Sequence, residues 1–125
     1  MLMDRLGSLN AWTCARHLAR DAYLLTMRKP LCDHFRLSDQ IRGAASSIPA
    51  NIAEGYGLGT RAQFVRCLRI SLAESYELRR HLELAIDCGL VPAGTEDVRS
   101  QCRRVSGLLI GLLKRLGSRM PPRLA

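Results

Sequence analysis

The sequence predicts an all-α protein, an antiparallel up-down four-helix bundle. Three observations carry this. Apolar residues recur at steps of three and four along most of the chain, the period of one buried helix face. The segments with that period are separated by short stretches of glycine, proline and capping residues, so sequential helices pack as antiparallel neighbours. The composition, 47% hydrophobic but only 5% aromatic, suits a core of Leu, Ile, Val and Ala. No alternating polar–apolar run signals a strand. A chain of 125 residues fits one domain, 1–125.

The first helix is expected over about 10–28. Asn10 can cap its free N–H groups. Trp12, Ala15, Ala19, Ala22, Tyr23 and Thr26 form one face, and Leu18 and Leu25, with Cys14, a second stripe beside it. Pro30 closes the segment, and a loop follows through Asp33, His34, Phe35 and Arg36. Ser38 is then the expected cap of the second helix, 38–56, whose stripe is Ile41, Ala45, Ile48 and Ile52. Pro49 lies inside this stripe. An interior proline lacks the N–H for the carbonyl four residues back and crowds it, at a cost of ~3 kcal/mol. The stripe keeps its phase across Pro49, which predicts a kinked but continuous helix.

Gly55, Gly57 and Gly59 suit a helix end and a tight turn. The third helix, 60–88, opens with Thr60 and Gln63 at capping-box spacing. Phe64, Leu68, Ser71, Ser75, Leu78, Leu82 and Ala85 then alternate by four and three, the heptad spacing of a packed bundle. Gly89, Leu90 and Pro92 mark its stop. The fourth helix, 95–117, has Glu96 and Asp97 in its first turn, where negative charge favours the dipole. Its seam is Val98, Cys102, Val105, Leu109, Leu112 and Leu116. Pro121 and Pro122 prevent the tail, 118–125, from continuing it.

The string Ile48-Pro49-Ala50-Asn51-Ile52-Ala53-Glu54-Gly55-Tyr56-Gly57 is distinctive. Together with Ile41-Arg42-Gly43-Ala44-Ala45 and Phe64-Val65-Arg66-Cys67-Leu68-Arg69, it resembles the bacterial four-helix-bundle proteins named for intervening sequences in large-subunit ribosomal RNA genes. The resemblance runs from about Trp12 to Val91 and implies an up-down bundle that assembles as a ring-like homo-oligomer, commonly a pentamer. More distantly, the chain is similar to the accessory variability determinant of diversity-generating retroelements. That relation implies a basic bundle that binds nucleic acid and a reverse transcriptase.

Self-association also follows from the apolar pattern. On the third helix, Val65, Leu72 and Tyr76 lie about a quarter-turn from the main seam, and Ile70, Ala73 and Leu84 lie on the far side; the first helix is similarly broad. A helix that is apolar on several sides is expected to be buried on several sides.

The net charge is +8, of which +7 comes from Arg99 to the chain end: Arg99, Arg103, Arg104, Lys114, Arg115, Arg119 and Arg123, with no acid after Asp97. A single-signed face attracts polyanions. Arg99, Arg103, Arg104, Lys114, Arg115 and Arg119 are therefore the expected nucleic-acid-binding residues, with RNA the favoured ligand. An accessory subunit of a reverse transcriptase or another RNA-handling complex is one form this would take. The alternative is a homo-oligomeric scaffold that docks an acidic partner protein.

Ser47, Asn51 and Glu54 lie on one flank of the second helix. They read either as a binding or assembly site or, the favoured reading, as a polar packing seam to the third helix, with Glu54 meeting Arg61 or Arg69. Gly55 to Gly59 lacks the Lys-Ser/Thr of a phosphate-binding loop and follows no strand. Five cysteines without Cys-x-x-Cys spacing argue against a disulfide framework or a zinc site. No Glu-x-x-His ligand pair and no recognisable catalytic constellation stand out, so a non-enzymatic protein without cofactor or metal is expected. No signal peptide or membrane-length apolar run is visible, and the expected location is cytoplasmic.

Overall fold

The computed structural model describes residues 4–118. It has four helices: α1 (Arg5–Leu25), α2 (Phe35–Leu58), α3 (Arg61–Asp87) and α4 (Thr95–Arg115), with a 3-10 turn at Leu31–Asp33 after α1. There is no strand among the described residues. Consecutive helices pack on one another and α4 returns to α1, the neighbour relation of an up-down bundle.

α3 and α4 follow their seams. Every seam position from Phe64 to Ala85, and every one from Val98 to Leu116, is buried. α3 begins at Thr60, whose Oγ1 accepts from the Gln63 N–H at 3.2 Å and donates to the Gln63 side chain at 2.7 Å. It ends with Gly89 at φ 74°, the Leu90 N–H returning to the Ala85 carbonyl at 2.8 Å. This closes the helix by satisfying otherwise free carbonyls. α4 ends the same way, with Gly117 at φ 77° and the Ser118 N–H on the Leu113 carbonyl at 2.9 Å.

α1 departs from expectation. It starts five residues before Asn10, and Asp4 caps it, its carboxylate accepting from the Gly7 N–H at 3.1 Å. Its buried line is Ala11, Ala15, Leu18, Ala22 and Leu25. This single heptad stripe lies between the two expected ones and leaves Tyr23 exposed. α2 also starts earlier. Ser38 is not its cap but lies buried one turn inside, donating from Oγ to the Leu31 carbonyl at 2.9 Å. Phe35 and Arg36, expected in a loop, are helical because the 3-10 turn delivers the chain directly into α2.

α2 runs unbroken through Pro49. Side chains bond the carbonyls beside the proline: Ser71 Oγ of α3 donates to the Ile48 carbonyl at 2.8 Å, and Asn51 Nδ2 to the Ser47 carbonyl at 2.9 Å. One turn later Gly55 lets α3 approach. A Cβ placed there would lie 2.5 Å from the Cys67 Cβ and 3.1 Å from Phe64 Cδ1. The distinctive string is therefore the α2 half of the α2–α3 contact, and Gly55, Phe64, Cys67 and Ser71 are the parts that fit together.

Candidate nucleic-acid interface

The up-down order places the starts of α1 and α3 beside the ends of α2 and α4. Side-chain contacts confirm the arrangement. Arg115 Nε donates to Asp4 Oδ2, joining α4 to the α1 cap, and Arg69 Nη2 donates to Ser118 Oγ at 2.6 Å. Arg61 lies over Gly117, its Nη2 2.8 Å from where a Cβ would stand.

This end collects an excess of positive charge. Between residues 4–12, 50–70 and 107–118 the bases are Arg5, Arg61, Arg66, Arg69, Lys114 and Arg115, against only Asp4 and Glu54. Arg119 lies outside the described residues. The opposite end is mixed. Arg20, Arg28, Lys29, Arg36, Arg42, Arg79, Arg80, Arg99, Arg103 and Arg104 are set there among Asp21, Asp33, Asp39, Glu77, Glu83, Asp87, Glu96 and Asp97. Ion pairs bind many of these charges, among them Lys29–Asp33 at 3.2 Å and Arg79–Glu83 at 3.5 Å.

The expected helix-four surface is thereby divided. Arg99 and Arg103 both reach Glu96, at 3.1 and 3.6 Å, because Glu96 lies one and two turns before them on the same helix side. Arg104 borders a polar cleft between α1 and α4, with His17, Arg20, Asp21 and Gln101. Arg115 is paired with Asp4, and Lys114 is exposed. Sequence reasoning did not single out Arg66, and it offered Arg61 and Arg69 as packing partners of Glu54 rather than as part of a basic surface. The signal was present: an up-down topology sets the start of the third helix against the end of the fourth.

The polar seam takes a different form from the one expected. Asn51 bonds Ser47 within α2, through its carbonyl and also its Oγ at 3.0 Å. Glu54 is exposed and makes no salt bridge among the described residues, and Arg69 turns instead to Ser118. Glu54 follows Asn51 by three residues but is exposed, outside the α2–α3 contact that Ser71 and Gly55 make.

Titratable groups report the same division. The Arg115 guanidinium, followed by the Gly7 N–H, holds the Asp4 carboxyl below its usual range. At the α1–α4 cleft, the Gln101 amide, at 2.7 Å, and then Arg20 lower Asp21. Burial pushes Glu74 up, and the neighbouring Glu77 adds to the effect. Cys102 is pushed up to about 11 by burial; its Sγ donates to the Ser75 carbonyl at 3.1 Å, and it is not a reactive thiolate. Among the described residues all five cysteines are free, and no cluster of three His, Cys, Asp or Glu is placed to hold a metal ion. No helix among them is long and apolar enough to cross a membrane.

Comparison with known proteins agrees with the distinctive string. No curated protein matches the chain. A crystal structure of a protein of unknown function from the S23 ribosomal protein family of Bacteroides thetaiotaomicron superposes with a TM-score of 0.77 at 27% identity, covering 86% of this chain and 98% of the other. The sequence model of the 23S rRNA-intervening sequence proteins matches residues 7–111, which takes in all of the α2–α3 contact and most of α4. The chain belongs to the 23S rRNA-intervening sequence protein family.

Proposed function

We propose that this protein binds RNA, without catalysing a reaction on it, through the basic end of the bundle rather than along the whole of α4. The observation that supports this is the basic excess of that end: Arg5, Arg61, Arg66, Arg69, Lys114 and Arg115 stand against only Asp4 and Glu54. A surface that only solubilises a protein mixes signs, as the opposite end does. The family's association with 23S rRNA intervening sequences favours RNA as the polyanion. Service as an accessory to a reverse transcriptase or another RNA-handling complex would use the same surface.

Contacts of this kind go to phosphates, carry little sequence information and release counterions. Four phosphate contacts on a single strand give roughly a fiftyfold loss of affinity over a fourfold rise in salt. Fluorescence anisotropy of a labelled oligoribonucleotide tests this. The combined Arg61→Gln, Arg66→Gln, Arg69→Gln and Lys114→Gln variant should lose both the affinity and the salt slope. Absence of binding by the unmodified chain at low salt would end the proposal.

A second reading rests on a different observation. Of the large apolar side chains that are exposed, six (Tyr23, Leu24, Met27, Phe35, Leu84 and Val91) lie toward the mixed-charge end and three (Leu6, Leu9 and Leu58) toward the basic end. We infer self-association there, in keeping with the ring-like homo-oligomer, a pentamer, that the resemblance implies. The alternative of a scaffold for an acidic protein shares this assembly. It differs in leaving freshly purified protein free of copurifying polynucleotide, which its ultraviolet spectrum would show.

A further inference from the structure

The basic end also carries an apolar groove. It runs between the first turns of α1 and the last turns of α2, has a volume of about 330 Å³, and is lined by Arg5, Leu9, Trp12, Ile52, Ala53 and Tyr56. That volume is at the lower end of what small-molecule sites enclose. Its two aromatic walls are held in place. The Arg16 guanidinium lies 4.9 Å from the centroid of the Trp12 ring. Tyr56 meets Phe64 edge-on, at 5.7 Å between centroids and 89° between planes. Leu9, 55% exposed, leaves the slot open to solvent.

An apolar slot with aromatic walls suits a flat ring, and an arginine at its rim suits an anion attached to that ring. Single-stranded nucleic acid offers both in each nucleotide: a base with a stacking face and a phosphate beside it. A duplex keeps its bases stacked internally and offers phosphates, 2′-hydroxyls and groove edges but no free stacking face. Charge complementarity decides between this ligand and an apolar peptide. Arg5 is in the groove wall, and Arg115 lies against the same first turn of α1 through Asp4. We propose that the groove receives an unpaired nucleobase, so that the protein prefers single-stranded or looped nucleic acid to duplex. This rests on the reading of the basic end as a nucleic-acid surface and adds to it a ligand class and a discriminating element.

Trp12 is the only tryptophan in the chain, so its fluorescence reports on the groove directly. The full chain is titrated with a labelled single-stranded oligouridylate of about a dozen nucleotides, within the site sizes of single-strand binders, and with a labelled RNA duplex of the same length. Anisotropy reports binding and Trp12 emission reports stacking. The single strand should bind more tightly and quench Trp12; the duplex should bind without quenching. Ala53→Leu, at an exposed position of α2, fills the groove without entering the core. It should cost about tenfold in single-strand affinity, remove the quenching and leave duplex binding unchanged. Tyr56→Leu is a second variant with the same expectation, its helicity checked by circular dichroism.

Equal binding of both RNAs with unchanged Trp12 emission would overturn the groove proposal and leave the basic end standing. Binding of neither would overturn both. Trp12 emission that shifts with protein concentration in the absence of RNA, and a shift abolished by Ala53→Leu, would assign the groove to a second copy of the chain and overturn the proposal.

Discussion

The two ends of this bundle are made from the same four helices yet present different chemistry. At one end the starts of α1 and α3 meet the ends of α2 and α4, six bases stand against two acids, and an aromatic groove with Arg5 in its wall opens between α1 and α2. At the other, bases and acids are mixed, many in ion pairs, and six large apolar side chains are exposed among them, against Leu6, Leu9 and Leu58 at the basic end. The difference teaches that net charge assigned helix by helix is a poor guide to a surface. The stretch from Arg99 to the chain end carries most of the excess in sequence, but Arg99 and Arg103 are drawn into the Glu96 cluster at the mixed end. Arg61, Arg66 and Arg69 in the first turns of α3, hidden in a nearly neutral stretch of sequence, gather at the basic end.

The sharpest way to break this contrast is to neutralise each end in turn. Arg61→Gln, Arg66→Gln, Arg69→Gln and Lys114→Gln together should lower RNA affinity at low salt by about a hundredfold, given the counterion release tied to each phosphate contact. The matched change at the other end, Arg28→Gln, Arg36→Gln, Arg79→Gln and Arg80→Gln, should move it by no more than a few-fold. Anisotropy titrations compare the two. Self-association should respond in the opposite sense: Met27→Ser with Phe35→Ser should weaken it at least tenfold by analytical ultracentrifugation, and the basic-end variant should leave it intact.

Smaller effects test the packing behind each end. Gly55→Ala places a Cβ against Cys67 and should cost about 1–3 kcal/mol by denaturant unfolding, the range for overpacked sites. Gly43→Ala, in the same helix but toward the mixed end, meets nothing within 4 Å and should gain up to about 1 kcal/mol from helix propensity. The smallest effects are electrostatic. Asp4 has a lowered folded-state pKa, so its contribution is present above the ordinary aspartate range and is lost as pH falls through the folded value. Asp4→Asn should therefore destabilise at neutral pH and converge with the parent in acid. Glu74 is raised by burial, so its ionised form opposes folding. Glu74→Gln should stabilise at neutral pH, and the gain should vanish as pH falls below the ordinary glutamate range.

How much of this was legible in the sequence depends on how local its cause is. The seams of α3 and α4, the Thr60–Gln63 cap and the Gly89 stop depend on neighbours three to five residues away, and periodicity reads such relations directly. The continuity of α2 through Pro49 was legible because Ile48 and Ile52 stay in phase. Its physical support was not, since the Ser71 hydroxyl that meets the Ile48 carbonyl comes from another helix. Asn10 and Ser38 looked like caps because cap residues are common inside helices as well as before them. The 3-10 turn and Asp4, which displace those starts, leave no periodic trace. Glu54 illustrates the limit for polar residues: sequence spacing gave it arginines within reach, but only the helix rotation shows it facing solvent.

The central claim is that RNA meets the basic end. Ultraviolet cross-linking of a bound oligoribonucleotide at low salt, with mass spectrometry to identify the linked peptides, tests it most directly. The account predicts cross-links within 4–12, 50–70 and 107–118. Cross-links confined to 20–42 and 77–104, or none with the unmodified chain, would contradict it.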